Sequence, residues 1–99
     1  MTRVVFAPLA ERDLEAIADY IAADNPSRAV TFVQGVRQRC AKLATAPLSA
    51  LRFPQLGADA HILPFGNYVI LYRALPGEVS IERVIHGARD IVALISNGE

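Results

Sequence analysis

Phe65-Gly66-Asn67-Tyr68-Val69-Ile70-Leu71-Tyr72-Arg73-Ala74-Leu75-Pro76-Gly77-Glu78-Val79-Ser80-Ile81-Glu82-Arg83-Val84-Ile85-His86 alternates strand and turn twice over. Tyr68–Arg73 is nearly continuous in aromatic and β-branched residues, as a central strand should be. Gly66-Asn67 before it suits a two-residue hairpin turn. Pro76-Gly77 after it occupies the two centres of a type II turn, so Val79–His86 returns antiparallel. Ile62-Leu63, from His61 onward, supplies the strand that enters the first turn. With both turns two residues long, pairing sums set His61 opposite Tyr72, Leu63 opposite Ile70, Tyr72 opposite Ile81 and Ile70 opposite Arg83. His61, Tyr72 and Arg83 then share one face.

Upstream the period changes from two to that of a helix. Ala10, Leu14, Ile17, Ala18 and Ile21 form one helical face, with Pro8 in the first turn, where its missing N–H costs nothing. Glu11, Asp13 and Glu15 sit near the positive end of that helix. Its N-cap is Ala7, a poor capper. Asn25 can cap a second helix and Pro26 can open it. Ala29, Val33, Val36, Cys40 and Leu43 then recur at 4-3-4-3 spacing, with Val30 and Phe32 widening the stripe. Gly35 in its middle points to close approach of the first helix, and Pro47 ends the run. Arg3–Phe6 precedes both helices as a short strand. Residues 47–59 read as a loop, and Ala88–Ile95 as a short last helix with Ala88, Ile91 and Leu94 or Ile95 on one side. The order is β-α-α-β-β-β-α, an α+β fold with a helical hairpin on one face of a small, mostly antiparallel sheet. A length of 99 residues fits one domain, 1–99.

Composition narrows the function. Hydrophobic residues make up 53% of the chain, which leaves apolar surface to spare for a partner. No apolar run approaches the ~18 residues of a membrane span, and Pro8, Glu11 and Arg12 come too early for a signal peptide. The single Cys40 fits a reducing compartment, so a cytoplasmic location is expected. A net charge of +0 argues against nucleic-acid binding over the whole surface, and no sequence-specific contact with nucleic acid is expected. The charges are nevertheless unevenly placed. Residues 1–24 hold Glu11, Asp13, Glu15, Asp19 and Asp24 against Arg3 and Arg12; residues 25–56 hold Arg28, Arg37, Arg39, Lys42 and Arg52 and no acid. The two helices therefore attract each other along their edges, or the second offers cations to an acidic partner.

Phosphate loops, zinc spacings and nucleophile elbows are absent. Cys40 lies on an apolar stripe and reads as a small core residue. His61, His86 and Asp90 have no metal-ligand spacing, and no metal or cofactor is expected. Arg83, among Val79, Ile81 and Ile85, needs a carboxylate; Glu82, Glu78 and Asp90 are the nearby choices, and Arg73 has the same choice with Glu82. His86-Gly87-Ala88-Arg89-Asp90 is the segment densest in chemically capable groups.

Phe6-Ala7-Pro8-Leu9-Ala10-Glu11-Arg12-Asp13-Leu14 with Ile17 and Tyr20-Ile21, Asn25-Pro26-Ser27-Arg28-Ala29 with Phe32, Phe65–Arg73, and Ile81–Ile91 together resemble ParE-type toxins of the RelE/ParE superfamily, in order and over nearly the whole chain. Ala7 departs from the Ser common there, and His61 from an Arg. The resemblance implies a cytoplasmic type II toxin that inhibits DNA gyrase by binding, without catalysis, in a hetero-oligomer with a ParD-like antitoxin of ribbon-helix-helix type. Target contacts are then expected at Arg83, His86, Arg89 and Asp90. Antitoxin contacts are expected along the helical hairpin and its basic flank, at Leu14, Ile21, Arg28, Phe32, Arg39, Arg52 and Tyr72. The RelE-like alternative is a ribosome-dependent endoribonuclease, with His86 as acid/base and Arg73, Arg83 or Arg89 holding phosphate. Lys42 as the only Lys, and no Tyr after Tyr72, favour the gyrase branch. A third reading is a non-toxic relative that only binds antitoxin.

Overall fold

The structure, a computed structural model, describes residues 2–87 and 89–96. Strand β1 (Arg3–Phe6) leads into helix α1 (Pro8–Ala22), and a short turn leads into helix α2 (Pro26–Ala41). A 3-10 turn (Lys42–Ala44) follows, then strand β2 (Leu51–Arg52) and a second 3-10 turn (Pro54–Leu56). Strands β3 (Ala60–Phe65), β4 (Tyr68–Leu75) and β5 (Glu78–His86) form the double hairpin, and helix α3 (Ile91–Ser96) comes last. The sheet runs β1-β5-β4-β3-β2, with β1 parallel to β5 and every other pair antiparallel. This is the expected α+β architecture. Strand β2 is an addition: the segment read as a loop pairs Leu51 with Ile62 and Arg52 with His61, and two residues are too few to show a period.

The helix ends follow from their residues. Ala7 leaves α1 without a side-chain cap, whereas Asn25 Oδ1 accepts from the Arg28 amide at 3.2 Å and caps α2. Helix α3 begins three residues later than the sequence pattern suggests. Asp90 is its cap, accepting from the Ala93 amide at 3.1 Å, and Ala88 lies outside the described residues.

The core lies between the helical hairpin and the sheet. Ala10 and Leu14 of α1 and Val36 and Cys40 of α2 meet Leu63, Ile70, Tyr72, Val79, Ile81 and Val84. Val30 does not widen the stripe: it is 58% exposed. Gly35 permits close approach, but of β3 rather than α1. A Cβ there would stand 2.8 Å from Phe65 Cζ, and the Phe65 ring is held edge-on by Phe32 at 5.8 Å. Leu71 and Ile85, also buried, point to the opposite face.

The first hairpin has the expected register, with His61 opposite Tyr72 and Leu63 opposite Ile70. Gly66 takes φ 58, and among the described residues none other than glycine has positive φ, so the turn carries its left-handed residue first, as type II′ requires. The second hairpin starts as expected, with Gly77 at φ 73 and Tyr72 opposite Ile81. It then slips. Leu71 pairs with Arg83 and Ile70 with Val84, which corrects the expected pairing of Ile70 with Arg83. Glu82 is the extra residue. A type II turn twists against the natural twist of paired strands, and a bulge restores that twist. The slip puts Val84 under the helices and takes Arg83 off the face it was expected to share with His61 and Tyr72.

The two helices are also joined by charge. Arg37 forks onto Glu11, at 2.7 and 3.2 Å, and lies over the Phe6 ring at 5.0 Å. The hydrogen bonds from Arg37 hold the Glu11 carboxyl below its ordinary 4.5, outweighing the opposing effect of burial. A lowered carboxyl adds stability above its unfolded pKa and loses it as the pH falls through its folded one. Because both side chains are nearly half exposed, the pair contributes at most about 1 kcal/mol. Glu11→Gln should therefore cost that much at neutral pH in denaturant unfolding, and the gap to wild type should close as acid protonates the lowered Glu11 carboxyl. Gly35→Val should cost about 1–3 kcal/mol in the same assay, because its added carbons meet a ring already held by Phe32.

Candidate functional site

Arg83 finds its carboxylate on neither neighbouring strand residue nor on Asp90, but on Asp13 of α1. Its Nε donates to Asp13 Oδ2 at 2.8 Å and its Nη2 to Asp13 Oδ1 at 3.1 Å. Asp13 Oδ2 also accepts from the Val84 amide at 2.9 Å. The two side chains are 12% and 16% exposed, so the fork is almost dry. Asp13 was missed as a partner because seventy positions separate it from Arg83. A signal was present nonetheless: position 13 falls between Ala10, Leu14 and Ile17, an acid on the apolar side of its helix.

Beyond Val84 the strand ends in a corner. His86 pairs with Tyr68 in the ladder and meets its ring edge-on at 5.3 Å. The Gly87 amide donates to Asn67 O at 2.8 Å and the Arg89 amide to His86 O at 3.0 Å. His86, Arg89 and Asp90 are exposed. A cavity of about 280 Å3 opens beside them, walled by Asp13, Tyr20, Tyr68, Arg83, His86 and Arg89 among others. The structure thus gathers Arg83, His86 and Arg89 around one hollow. Asp90 is turned to capping α3.

Arg73 is elsewhere. It lies five residues along β4 from Tyr68, about 17 Å at the rise of a strand, and donates to Asp59 at 2.8 Å, with Glu82 at 4.0 Å. Of the residues in the ribonuclease reading, Arg73 therefore stands apart, while His86, Arg83 and Arg89 share the hollow, with Arg83 forked onto Asp13.

The residues expected to meet an antitoxin divide. Leu14 and Tyr72, 2% and 0% exposed, are core residues and offer a partner no surface, which corrects that expectation. Tyr72 is held there by its hydroxyl, which donates to Pro47 O at 2.8 Å, and by the His61 ring stacked on it at 5.1 Å. Ile21, Arg28 and Phe32 line one cleft of about 750 Å3, together with Tyr20, Phe65 and Tyr68. Arg39 is exposed on α2, and exposed Arg52 on β2 borders a separate cleft beside Leu48 and His61.

Among the described residues no three metal-capable side chains cluster, and no helix is long and apolar enough to cross a membrane. Cys40 is 0% exposed, and burial pushes its thiol up to about 11. At about pH 8 only on the order of a thousandth would be thiolate. A disulfide reagent should therefore label Cys40 only as fast as the fold opens; rapid stoichiometric labelling of native protein would contradict the buried placement.

Comparison with known proteins agrees with this geometry. A family model described as the ParE toxin of the type II toxin-antitoxin system, parDE, matches residues 4–91. The fold is similar to a chain of the chromosomal ParDE TA system from P. aeruginosa, with a TM-score of 0.75 over 87% of this chain and 96% of that one, at 20% identity. No curated protein sequence matches significantly.

Proposed function

The chain belongs to the ParE toxin family of type II toxin–antitoxin systems, and on that footing we propose that it is a cytoplasmic binding inhibitor of DNA gyrase, held in check by a ParD-like antitoxin. The observation that carries this reading is the engagement of its strand arginines. A phosphate-cleaving site needs cations and an acid/base that converge on one atom. Arg83 is spent on Asp13, and Arg73 on Asp59 at the far end of β4 from His86. The corner presents His86 and Arg89 beside an open hollow with Tyr20 and Leu94, which suits contact with a protein surface.

The antitoxin reading rests on the other cleft. Ile21, Phe32 and the neighbouring aromatic rings offer an apolar floor, and Arg28 stands at its wall. Such a groove accepts the apolar side of an amphipathic helix. Exposed Arg39 and Arg52 would meet acidic residues of an antitoxin segment that continues beyond the cleft, making a hetero-oligomer.

Purified protein should inhibit supercoiling by gyrase or trap its cleaved complex, and induction without antitoxin should cause filamentation with DNA-damage signalling. No effect on gyrase together with rapid mRNA cleavage would overturn the reading in favour of a ribonuclease, and His86→Ala should then abolish cleavage in a folded protein. Tight antitoxin binding with neither activity would identify a non-toxic relative.

A further inference from the structure

Strand β1 ends at Phe6, opposite Ile81. Past the bulge at Glu82, β5 therefore runs on without a strand on that side, and an edge strand with unpaired donors frays or recruits another chain. The Val84 amide is such a donor, and it is taken by Asp13 Oδ2 at 2.9 Å. The same carboxylate grips Arg83 through both of its oxygens. A side chain from α1 thus continues the pairing that β1 leaves off, two residues before the corner begins.

The corner is fastened on its other side by bonds of a different origin. Gly87 is tied to Asn67 in the turn between β3 and β4, and Arg89 to the carbonyl of His86. Asp13 supplies the tie from the helical layer, and it lines the same hollow as His86 and Arg89. We propose that Asp13 is the positioning residue of the His86–Asp90 corner, fixing the end of β5 through Val84 and Arg83 so that His86 and Arg89 face the target in one geometry. The functional consequence rests on the reading of this corner as the target surface; the structural claim stands apart from it.

Asp13→Ala removes every acceptor and risks unfolding the chain, so Asp13→Asn is the informative variant. It keeps the shape and one oxygen. It puts an amide donor where Arg83 or Val84 also donates, and it removes the charge that strengthens both bonds. Amide hydrogen exchange on the full-length chain should quicken about tenfold or more at residues 84–87, as expected for loss of charge-assisted bonds. Exchange at Val79, Ile81, Val36 and Cys40 should remain as in wild type. Potency against gyrase should fall about tenfold, while antitoxin affinity changes by less than about threefold, because the cleft at Ile21 and Phe32 does not include Asp13. Unchanged exchange at 84–87 would overturn the proposal whatever happens to toxicity. So would uniform acceleration across the sheet with a parallel loss of antitoxin binding, which is the signature of general destabilisation. If wild-type protein leaves gyrase untouched, the target reading falls, and the exchange pattern still decides the role of Asp13.

Discussion

A single carboxylate ties the helical layer to the sheet at the point where β5 runs on past the end of β1. The sheet needs an acceptor for Val84 once β1 has ended, Arg83 needs an anion because it stands among apolar residues, and α1 needs a fixed angle over β5. Asp13 meets all three requirements with two oxygens. A nearly buried charge pair gains little net stability over an apolar substitute, but removing one partner leaves the other stranded. Its value is therefore in fixing a geometry more than in the depth of the folded state. The core beneath Ala10, Leu14 and Val36 supplies that depth by burying side chains.

The bulge at Glu82 is what makes this clamp possible. Without the slip, Arg83 would lie opposite Ile70 and face the helices, where its charge would displace the packing now made by Val84. With it, Val84 enters the core, Arg83 reaches Asp13, and Glu82 comes within 4.0 Å of Arg73. The Pro76-Gly77 turn is the upstream cause, since its twist has to be reversed within a few residues. A local turn preference thus sets which of two neighbouring side chains becomes core and which becomes clamp.

Much of this was legible in the residues. The double hairpin, both amphipathic helices, the capping role of Asn25 and the burial of Cys40 follow from period, turn chemistry and composition, because each depends on neighbours in sequence. The features that escaped depend on neighbours in space. Strand β2 has no pattern of its own and exists because β3 offers an edge. The slip at Glu82 cancels a parity argument that assumed equal numbers of residues on both strands. The contact of Gly35 with Phe65 links a helix to a strand thirty positions away. The partner of Arg83 came closest to being readable: an acid within the stripe of α1 and an arginine within an apolar strand are each anomalous alone, and each explains the other.

A chain of zero net charge can still present a charged surface when its ion pairs are unevenly placed. Arg3, Arg37, Arg73 and Arg83 are neutralised internally by Glu78, Glu11, Asp59 and Asp13. Those four acids are no longer available to balance the remaining bases. Among the described residues Arg28, Arg39 and Arg52 form no ion pair, and they lie in a stretch, 25–56, that has no acid. The unspent acids Glu15 and Asp19 lie on α1, and Asp24 in the turn that follows it. Internal pairing therefore sharpens the separation of charge that the sequence began, leaving one helix acidic at its surface and the next basic. At physiological ionic strength exposed charges are felt over about 8 Å, so on the proposed antitoxin reading the basic helix would act on its partner at short range, setting register more than capture. In that reading the apolar floor of the cleft would supply affinity, and Arg28 at its wall would select which acidic segment may use it.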